Sequence, residues 1–403
     1  MNVLMVSDVY FPRINGVSTS IQTFTSCLAE LGVHVSLVAP RYESHFPEPD
    51  IVRIPARRVP LDPEDRMMSY AQLIAHVDSL RPGEVDLVHI QTPFLAHYAG
   101  MRLARRLGVP ALATYHTFFE EYLYHYVPVL PRSWLRGLAR RFSRGQCNAL
   151  DAVVVPSSAM RDRLGEYGVT APMHVLPTGI PLGRFSSGDR AGFRAAYDIA
   201  PDAKVALFVG RLAHEKNIEF LLEVAAHAKK DLPQLVWLIT GEGPAQPSLQ
   251  RRVEQLGLAG QVRFLGYLDR ARALVDCYAA ADVFAFSSLT ETQGLVLLEA
   301  MALGVPAVAL SAMGTADILA PRLGAVVPEH NPERFAEDLV ALLSYPARHT
   351  RLAAEARDYA RQWSDVAMAE RLAVLYRELV RQRAGLGLTR ASPIAARVQR
   401  QGR

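Results

Sequence analysis

Residues 288–306 read SLTETQGLVLLEAMALGVP, and this stretch decides the fold. The apolar run ADVFAFSS just before it has the pattern of a buried strand. Gly294 to Leu303 then supplies helix-forming Leu, Glu, Ala and Met, and Gly304 ends the run. Strand, loop, helix and stop make one unit of an open parallel sheet. Ligands of such sheets bind beyond the carboxyl ends of the strands, so the loop from Leu289 to Gln293 points at the site.

Two carboxylates flank this loop and helix, Glu291 and Glu299, with seven residues between them. Glu299 lies more than a turn inside the helix among Val296, Leu297, Leu298, Ala300 and Met301. Its carboxylate is expected to be enclosed, and an enclosed carboxylate needs hydrogen-bond donors. Glu291 precedes the first helical residues, whose free N–H groups at Gly294 and Leu295 form an anion pocket. From the residues alone, two readings stand. Glu291 is a dipole-favoured start residue beside a Thr290–Gln293 capping box and Glu299 meets a buried Arg, or both carboxylates serve a ligand.

Outward from this stretch the chain repeats the same plan. Strand Asn2 to Ser7, a loop and a helix opened by Gly16 are followed by strand Val33 to Ala39, a parallel unit. Gly16 at the helix mouth is either a turn glycine or a point of close backbone approach. Further short strands fall at Asp86 to Ile90, Ala111 to Thr114, Ala152 to Val155 and His174 to Leu176. His116 follows the second of these, where the fold keeps its chemistry, although a lone histidine is commonly structural. The Pro-Thr-Gly-Ile-Pro segment from Pro177 to Pro181 reads as the interdomain link. Beyond it, strand Val205 to Val209 leads through Arg211 to a helix near Asn217. Lys216 thus sits at the helix end that disfavours a cation. Either it is solvated beside Glu215 and Glu219, or Arg211 and Lys216 clamp a diphosphate. Strands Leu235 to Thr240 and Val262 to Leu265 each end in a glycine turn, the second before Tyr267. The Gly241 turn is no dinucleotide fingerprint, since Gln246 occupies the third glycine position.

Four strings carry a family resemblance. ETQGLVLLEAMALGVP, VGRLAHEKNIEFLLE, DVYFPRINGVSTSI and ATYHTFFEEYLYHYVP resemble the signatures of retaining glycosyltransferases of family 4, the last of them the branch that glycosylates diacylglycerol. The resemblance covers Met1 to about Val380. It implies an α/β fold of the GT-B type, two facing Rossmann-like domains with a C-terminal helix crossing back to the first. It assigns Glu299 to the ribose hydroxyls of a nucleotide sugar, Glu291 to the transferred sugar, and Arg211 and Lys216 to the diphosphate. Gly16 then lines the donor pocket, His116 lies beside the reacting centre, and the backbone near Tyr267 flanks the base. The family usually has an aspartate where Pro181 and Leu182 stand, so no role is assigned there. The domains expected are residues 1–178 on the acceptor side, 179–365 binding the nucleotide sugar, a returning helix at 366–382 and a disordered basic tail at 383–403.

Composition limits the alternatives. The chain has 403 residues, half of them apolar, long enough for two full cores. Cys27, Cys147 and Cys277 form no metal or redox spacing and fit a reducing compartment. No aspartate is followed two residues later by another, so the acidic motif that holds metal in many nucleotide-sugar enzymes is absent. No cofactor and no metal are expected, with Arg211, Lys216 and the N–H groups of Gly294 and Leu295 meeting the diphosphate charge. The net charge of +4 is unevenly spread. No recognition motif accompanies it, and nucleic acid is not expected. In RSWLRGLARRFSRG, Trp134, Leu135, Leu138 and Phe142 recur at helical spacing while Arg132, Arg136, Arg140 and Arg144 repeat every four positions. This is either an ordinary surface helix or a contact, through Trp134, Arg136, Arg140 and Arg144, with an anionic membrane.

The expectation is a cytoplasmic protein, peripheral on the inner face of the membrane, moving a hexose, glucose favoured, from a nucleotide diphosphate sugar to a lipid such as diacylglycerol. The alternatives are a mannosyltransferase using a GDP donor, a sugar-nucleotide epimerase of the same fold, and a non-catalytic membrane-surface protein. Intact Arg211, Lys216, Glu291 and Glu299 count against the last.

Overall fold

The computed structural model describes residues 1–13, 15–43, 48–59, 62–116 and 132–390, except the side chains of 62–65, 132–136 and 386–390. The chain forms two compact units, Met1–Thr178 with Val366–Arg403, and Gly179–Asp365.

The first unit is built on a parallel sheet of β1 (Asn2–Val6), β2 (His34–Pro40), β3 (Ile51–Ile54), β6 (Leu87–Ile90), β7 (Ala111–Thr114), β8 (Ala152–Val155) and β9 (Met173–Val175), in the order β3-β2-β1-β6-β7-β8-β9. The strands β4 (Ala56–Val59) and β5 (Asp62–Met68) pair antiparallel as a hairpin. Helices cover both faces of such a sheet, so its inner strands are buried throughout rather than alternating; β6 (LVHI) and β8 (AVVV) are buried at every residue, His89 being the one polar side chain among them. The helix Gly16–Glu30 starts where the Asn15 side chain accepts from the Ser18 N–H at 2.8 Å, and it buries Ile21, Phe24 and Leu28 at helical spacing.

The second unit repeats the plan with β10 (Val205–Val209), β11 (Val236–Thr240), β12 (Val262–Gly266), β13 (Val283–Phe286), β14 (Ala307–Ala309) and β15 (Ala325–Val326), ordered β12-β11-β10-β13-β14-β15. In each sheet the strand order reverses once, between β1 and β6 and between β10 and β13.

The last described helix, Asp365–Arg390, belongs to the first unit's core: Met368, Ala369, Leu372, Ala373, Tyr376 and Leu379 are buried in one cluster with Val3, Met5 and Leu28. The expected disordered tail is corrected over 383–390, which continue this helix. Arg383 holds that turn by donating Nε to the Gly108 carbonyl at 3.2 Å and facing Asp151 at 3.4 Å. Residues 391–403, also assigned to the tail, lie outside the described residues.

Tyr376 reaches His89, a fully buried residue of β6. The Tyr376 hydroxyl lies 2.6 Å from Nδ1 and the Thr114 hydroxyl 2.7 Å from Nε2. Burial first, then the neighbouring His116, push the imidazole down to about 3 from its ordinary 6.5. The unfolded chain therefore takes up a proton below pH 6.5 that the folded chain refuses until about pH 3, and this group's contribution to stability is lost on acidification through that window. Asp8 acts in the opposite sense: burial pushes its carboxyl up from 3.8 to about 6, so the folded form keeps a proton there that the unfolded form releases. In His89→Gln the slope of unfolding free energy against pH between pH 6 and 4 should fall by about 1.4 kcal/mol per pH unit, measured by urea unfolding of the first unit. Equal slopes in wild type and variant would mean that His89 protonates within the fold.

Candidate active site

Two strands that are neighbours at a reversal send their following helices to opposite faces, which leaves a crevice at their carboxyl ends. In the second unit these strands are β10 and β13. After β10 come Gly210, Arg211, a tight turn at His214–Lys216, Asn217 in the left-handed region (φ 54°) and the helix Ile218–Ala228. After β13 come Ser287 to Gln293 and the helix Leu295–Ala302, which starts from Gly294 at φ 90° with no side-chain cap. The alternative capping box at this start does not form; the Thr290 hydroxyl lies 3.4 Å from the Glu215 carbonyl.

The two loops are clasped together. Ser287 Oγ donates to the carbonyls of Lys216 (3.2 Å) and Asn217 (2.9 Å), and Asn217 Nδ2 donates to the Ser287 carbonyl at 3.3 Å. Lys216 Nζ donates to Glu291 Oε1 at 2.6 Å, each side chain about four-fifths buried. The cation at the unfavourable end of a helix is thus answered by a carboxylate from the neighbouring loop. Arg211 is exposed and has no side-chain partner among the described residues. Ser288 is fully buried, and its hydroxyl likewise has no partner among the described residues.

Glu299 is 2% exposed, as its place in an apolar helix suggested. Its Oε1 accepts from Arg270 and its Oε2 from the Tyr278 hydroxyl at 2.8 Å. Burial first and the Glu299 carboxylate second hold the Tyr278 phenol well above its ordinary value, so it remains a donor. Arg270 is only partly buried and comes from the loop after β12, which also carries Tyr267, 60% exposed. The sequence reading that Glu299 meets an arginine is met by Arg270, although that side chain is only partly buried; Tyr278 was not foreseen. A tyrosine in the apolar helix Ala273–Ala280 was the available signal, because a buried phenol needs a partner.

The glycine turn after β11 abuts the loop after β10. A Cβ on Gly241 would stand 2.0 Å from the Gly210 carbonyl oxygen, and the Gly241 N–H donates to the Gly266 carbonyl at 2.8 Å. Behind the Glu291 loop, Gly314 donates its N–H to the Glu291 carbonyl at 2.8 Å.

In the first unit the reversal lies between β1 and β6. Asp8, just after β1, accepts from the Thr92 hydroxyl at 2.7 Å and from the Ala96 N–H at 3.2 Å. Gly16 opens its helix, and a Cβ there would meet nothing within 4 Å. His116, two residues beyond β7, has Nε2 at 3.0 Å from Gln91 Oε1, and burial pushes its imidazole down to about 4. Gln91, just after β6, was not singled out from the sequence. Its signal was the spacing HIQ, which puts His89 and Gln91 on one face at the end of a strand.

The helix Arg132–Cys147 buries Ala139, Ser143 and Cys147, while Leu138 is 57% exposed beside exposed Arg140, Arg141 and Arg144. The Arg140 guanidinium stands over the Tyr167 ring at 5.2 Å. The side chains of Trp134 and Arg136 lie outside the described residues, as does the chain from 117 to 131. Among the described residues no group of three or more His, Cys, Asp or Glu could hold a metal ion. No helix among them is long and apolar enough to cross a membrane.

Two doubly wound units in one chain are the build of the GT-B fold class. Solved structures of this build align over nearly the whole chain. Sucrose-phosphate synthase from Thermosynechococcus elongatus aligns with a TM-score of 0.73 at 23% identity, covering 94% of this chain and 98% of that one. The Anabaena protein HepE in complex with UDP aligns with a TM-score of 0.74 at 18% identity, covering 94% and 100%. Two family patterns match in sequence, "Glycosyltransferase Family 4" over residues 14–184 and "Glycosyl transferases group 1" over 189–363. An alpha-monoglucosyldiacylglycerol synthase of Streptococcus pneumoniae is 31% identical over 77% of this chain and 71% of its own. A GDP-mannose-dependent alpha-mannosyltransferase of Mycobacterium tuberculosis is 30% identical over 90% and 93%. The chain belongs to glycosyltransferase family 4 and is an enzyme of that class.

The Glu291 loop depends on the absence of a side chain at residue 314, because a Cβ there would stand 2.1 Å from the Thr292 carbonyl oxygen. Gly314→Ala should destabilise the second unit by about 2 to 3 kcal/mol, since the clash is with backbone rather than with a movable side chain. An unchanged urea midpoint would mean that the loop stands clear of residue 314.

Proposed function

We propose that this glycosyltransferase moves a hexose, glucose favoured, from a nucleotide diphosphate sugar to a membrane lipid such as diacylglycerol, with retention of configuration and without a metal cofactor. The observation that carries the donor half is the Lys216–Glu291 pair at the β10/β13 crevice, with the enclosed Glu299 behind it. A cation and two carboxylates at one strand reversal suit a ligand with phosphates at one end and hydroxyls at the other. Lys216 and Arg211 meet the diphosphate, aided by the N–H groups of Gly294 and Leu295. Glu299 accepts from the ribose hydroxyls, Glu291 from the transferred sugar, and the backbone at Tyr267 borders the base. Gly16 meets the donor through its close backbone approach, and His116 contributes a neutral imidazole beside the reacting sugar. The lipid half rests on the similarity to the alpha-monoglucosyldiacylglycerol synthase. A second reading, mannose from GDP-mannose, rests on the mannosyltransferase that aligns over more of the chain.

Purified protein incubated with UDP-glucose or GDP-mannose, with and without a lipid extract, separates these readings. Nucleotide release that requires both UDP-glucose and lipid supports the first, and acceptor-dependent release from GDP-mannose but not from UDP-glucose the second. Activity should persist in EDTA; a strict need for added divalent cation would overturn the metal-free account. Glu299→Ala should weaken nucleoside diphosphate binding by about 1.5 to 3 kcal/mol, the worth of hydrogen bonds to a charged acceptor. Glu291→Ala should instead lower turnover and spare that affinity. Nucleoside diphosphate affinity unchanged in Glu299→Ala, or equally lost in Glu291→Ala, would reverse the assignments.

The arginine-rich face of the helix Arg132–Cys147 is the membrane contact in this reading, each basic residue near an anionic surface adding about 1 kcal/mol. Vesicle binding should rise with anionic lipid, fall with salt, and fall when Arg136, Arg140 and Arg144 are together changed to Gln. Binding indifferent to all three would move the contact elsewhere and favour a soluble acceptor.

A further inference from the structure

The parallel strands β6 and β7 pair in a register that sets Ile90 opposite Ala113. His89 and Gln91 therefore lie on one face of β6 and its extension, and Thr114 and His116 follow the matching face of β7. Two hydrogen-bonded rungs result, each joining residues 25 apart in sequence: His89 with Thr114 at 2.7 Å and Gln91 with His116 at 3.0 Å. Gln91 has little freedom to move. It is 4% exposed, and its own N–H donates to the Val6 carbonyl of β1 at 2.9 Å, at the strand reversal of the first unit.

The atoms in the upper rung fix a proton. A glutamine Oε1 can only accept, so its contact with His116 requires the proton on Nε2. In a neutral imidazole the other nitrogen, Nδ1, is then bare. We propose that Gln91 is the positioning residue for His116, holding the ring in the Nε2–H tautomer so that Nδ1 faces the reaction as a hydrogen-bond acceptor. This rests on the proposed place of His116 beside the transferred sugar. A sugar hydroxyl can donate to such a nitrogen, whereas the opposite tautomer would present a donor. The enzyme would thereby select a sugar that offers a hydroxyl proton at that point.

The test uses the full chain labelled with ¹⁵N-histidine, with the His116 signals identified by their loss in His116→Asn. Two-bond ¹⁵N–¹H spectra at pH 7 should give His116 as the Nε2–H tautomer. In Gln91→Leu that signal should move toward a mixture of tautomers. Turnover with the identified donor should fall roughly tenfold, the worth of one misdirected neutral hydrogen bond, with the donor KM within about twofold of wild type. Gln91→Glu, which keeps an oxygen acceptor, should retain the wild-type tautomer. An Nδ1–H tautomer in wild type, or an unmoved signal in Gln91→Leu, would overturn the proposal whether or not the leucine variant remains active. A shifted tautomer with undiminished turnover would overturn it too if His116→Asn is inactive. If His116→Asn also turns over normally, the hold of Gln91 on the ring stands and the catalytic place of His116 falls.

Discussion

A parallel sheet whose strand order reverses has one place that its own helices do not cover, and both units of this protein are organised around such a place. At β10 and β13 the uncovered ends are tied by Ser287, Asn217 and the Lys216–Glu291 pair. The pair is worth more as a clasp than as a source of stability. Two partly buried charges recover in mutual attraction roughly what they lose in hydration, but removing either leaves the other stranded. The loop carrying Glu291 is therefore fixed to the loop carrying Arg211, and a group bound by one is placed with respect to the other.

Glu299 shows the same logic with different chemistry. An eight-residue helix of otherwise apolar side chains delivers a carboxylate into the protein interior, which is tolerable because a phenol and a guanidinium donate to it. The two donors differ in character. Tyr278 is fully buried and fixed, whereas Arg270 rises from a partly exposed loop. One oxygen of the carboxylate is thus held by the core, and the other by a side chain that borders solvent.

Most strands were legible from the chain alone because buried parallel strands are short unbroken apolar runs: Ala111–Thr114, Ala152–Val155 and Val205–Val209 have the bounds that the runs suggest. The hairpin of β4 and β5 was not, since ARRV and DPEDRMM are charged and lack any apolar alternation. The enclosure of Glu299 and an arginine partner for it were legible from its neighbours, but which arginine, and the added Tyr278, were not, because they sit 29 and 21 residues away on other elements. Lys216 was recognised as a cation in an unfavourable place, and the carboxylate that answers it was recognised as well. Nothing local joined the two, since 75 residues separate them and only the adjacency of β10 and β13 brings them within reach.

The buried stripe of the helix Asp365–Arg390 has a consequence for the order in which the molecule can be made. Met368, Leu372 and Tyr376 complete a core whose other members include Val3, Leu28 and Val154, and Tyr376 supplies a hydroxyl to His89. A chain emerging from the ribosome presents all of Gly179–Asp365, one uninterrupted stretch, before any of those late residues exist. The portion translated first must wait with an unfilled apolar slot while the portion translated after it is already whole. The usual rule that the earlier of two domains finishes folding first is inverted here, and chaperones would find their longer-lived client surface in the unit that is begun first.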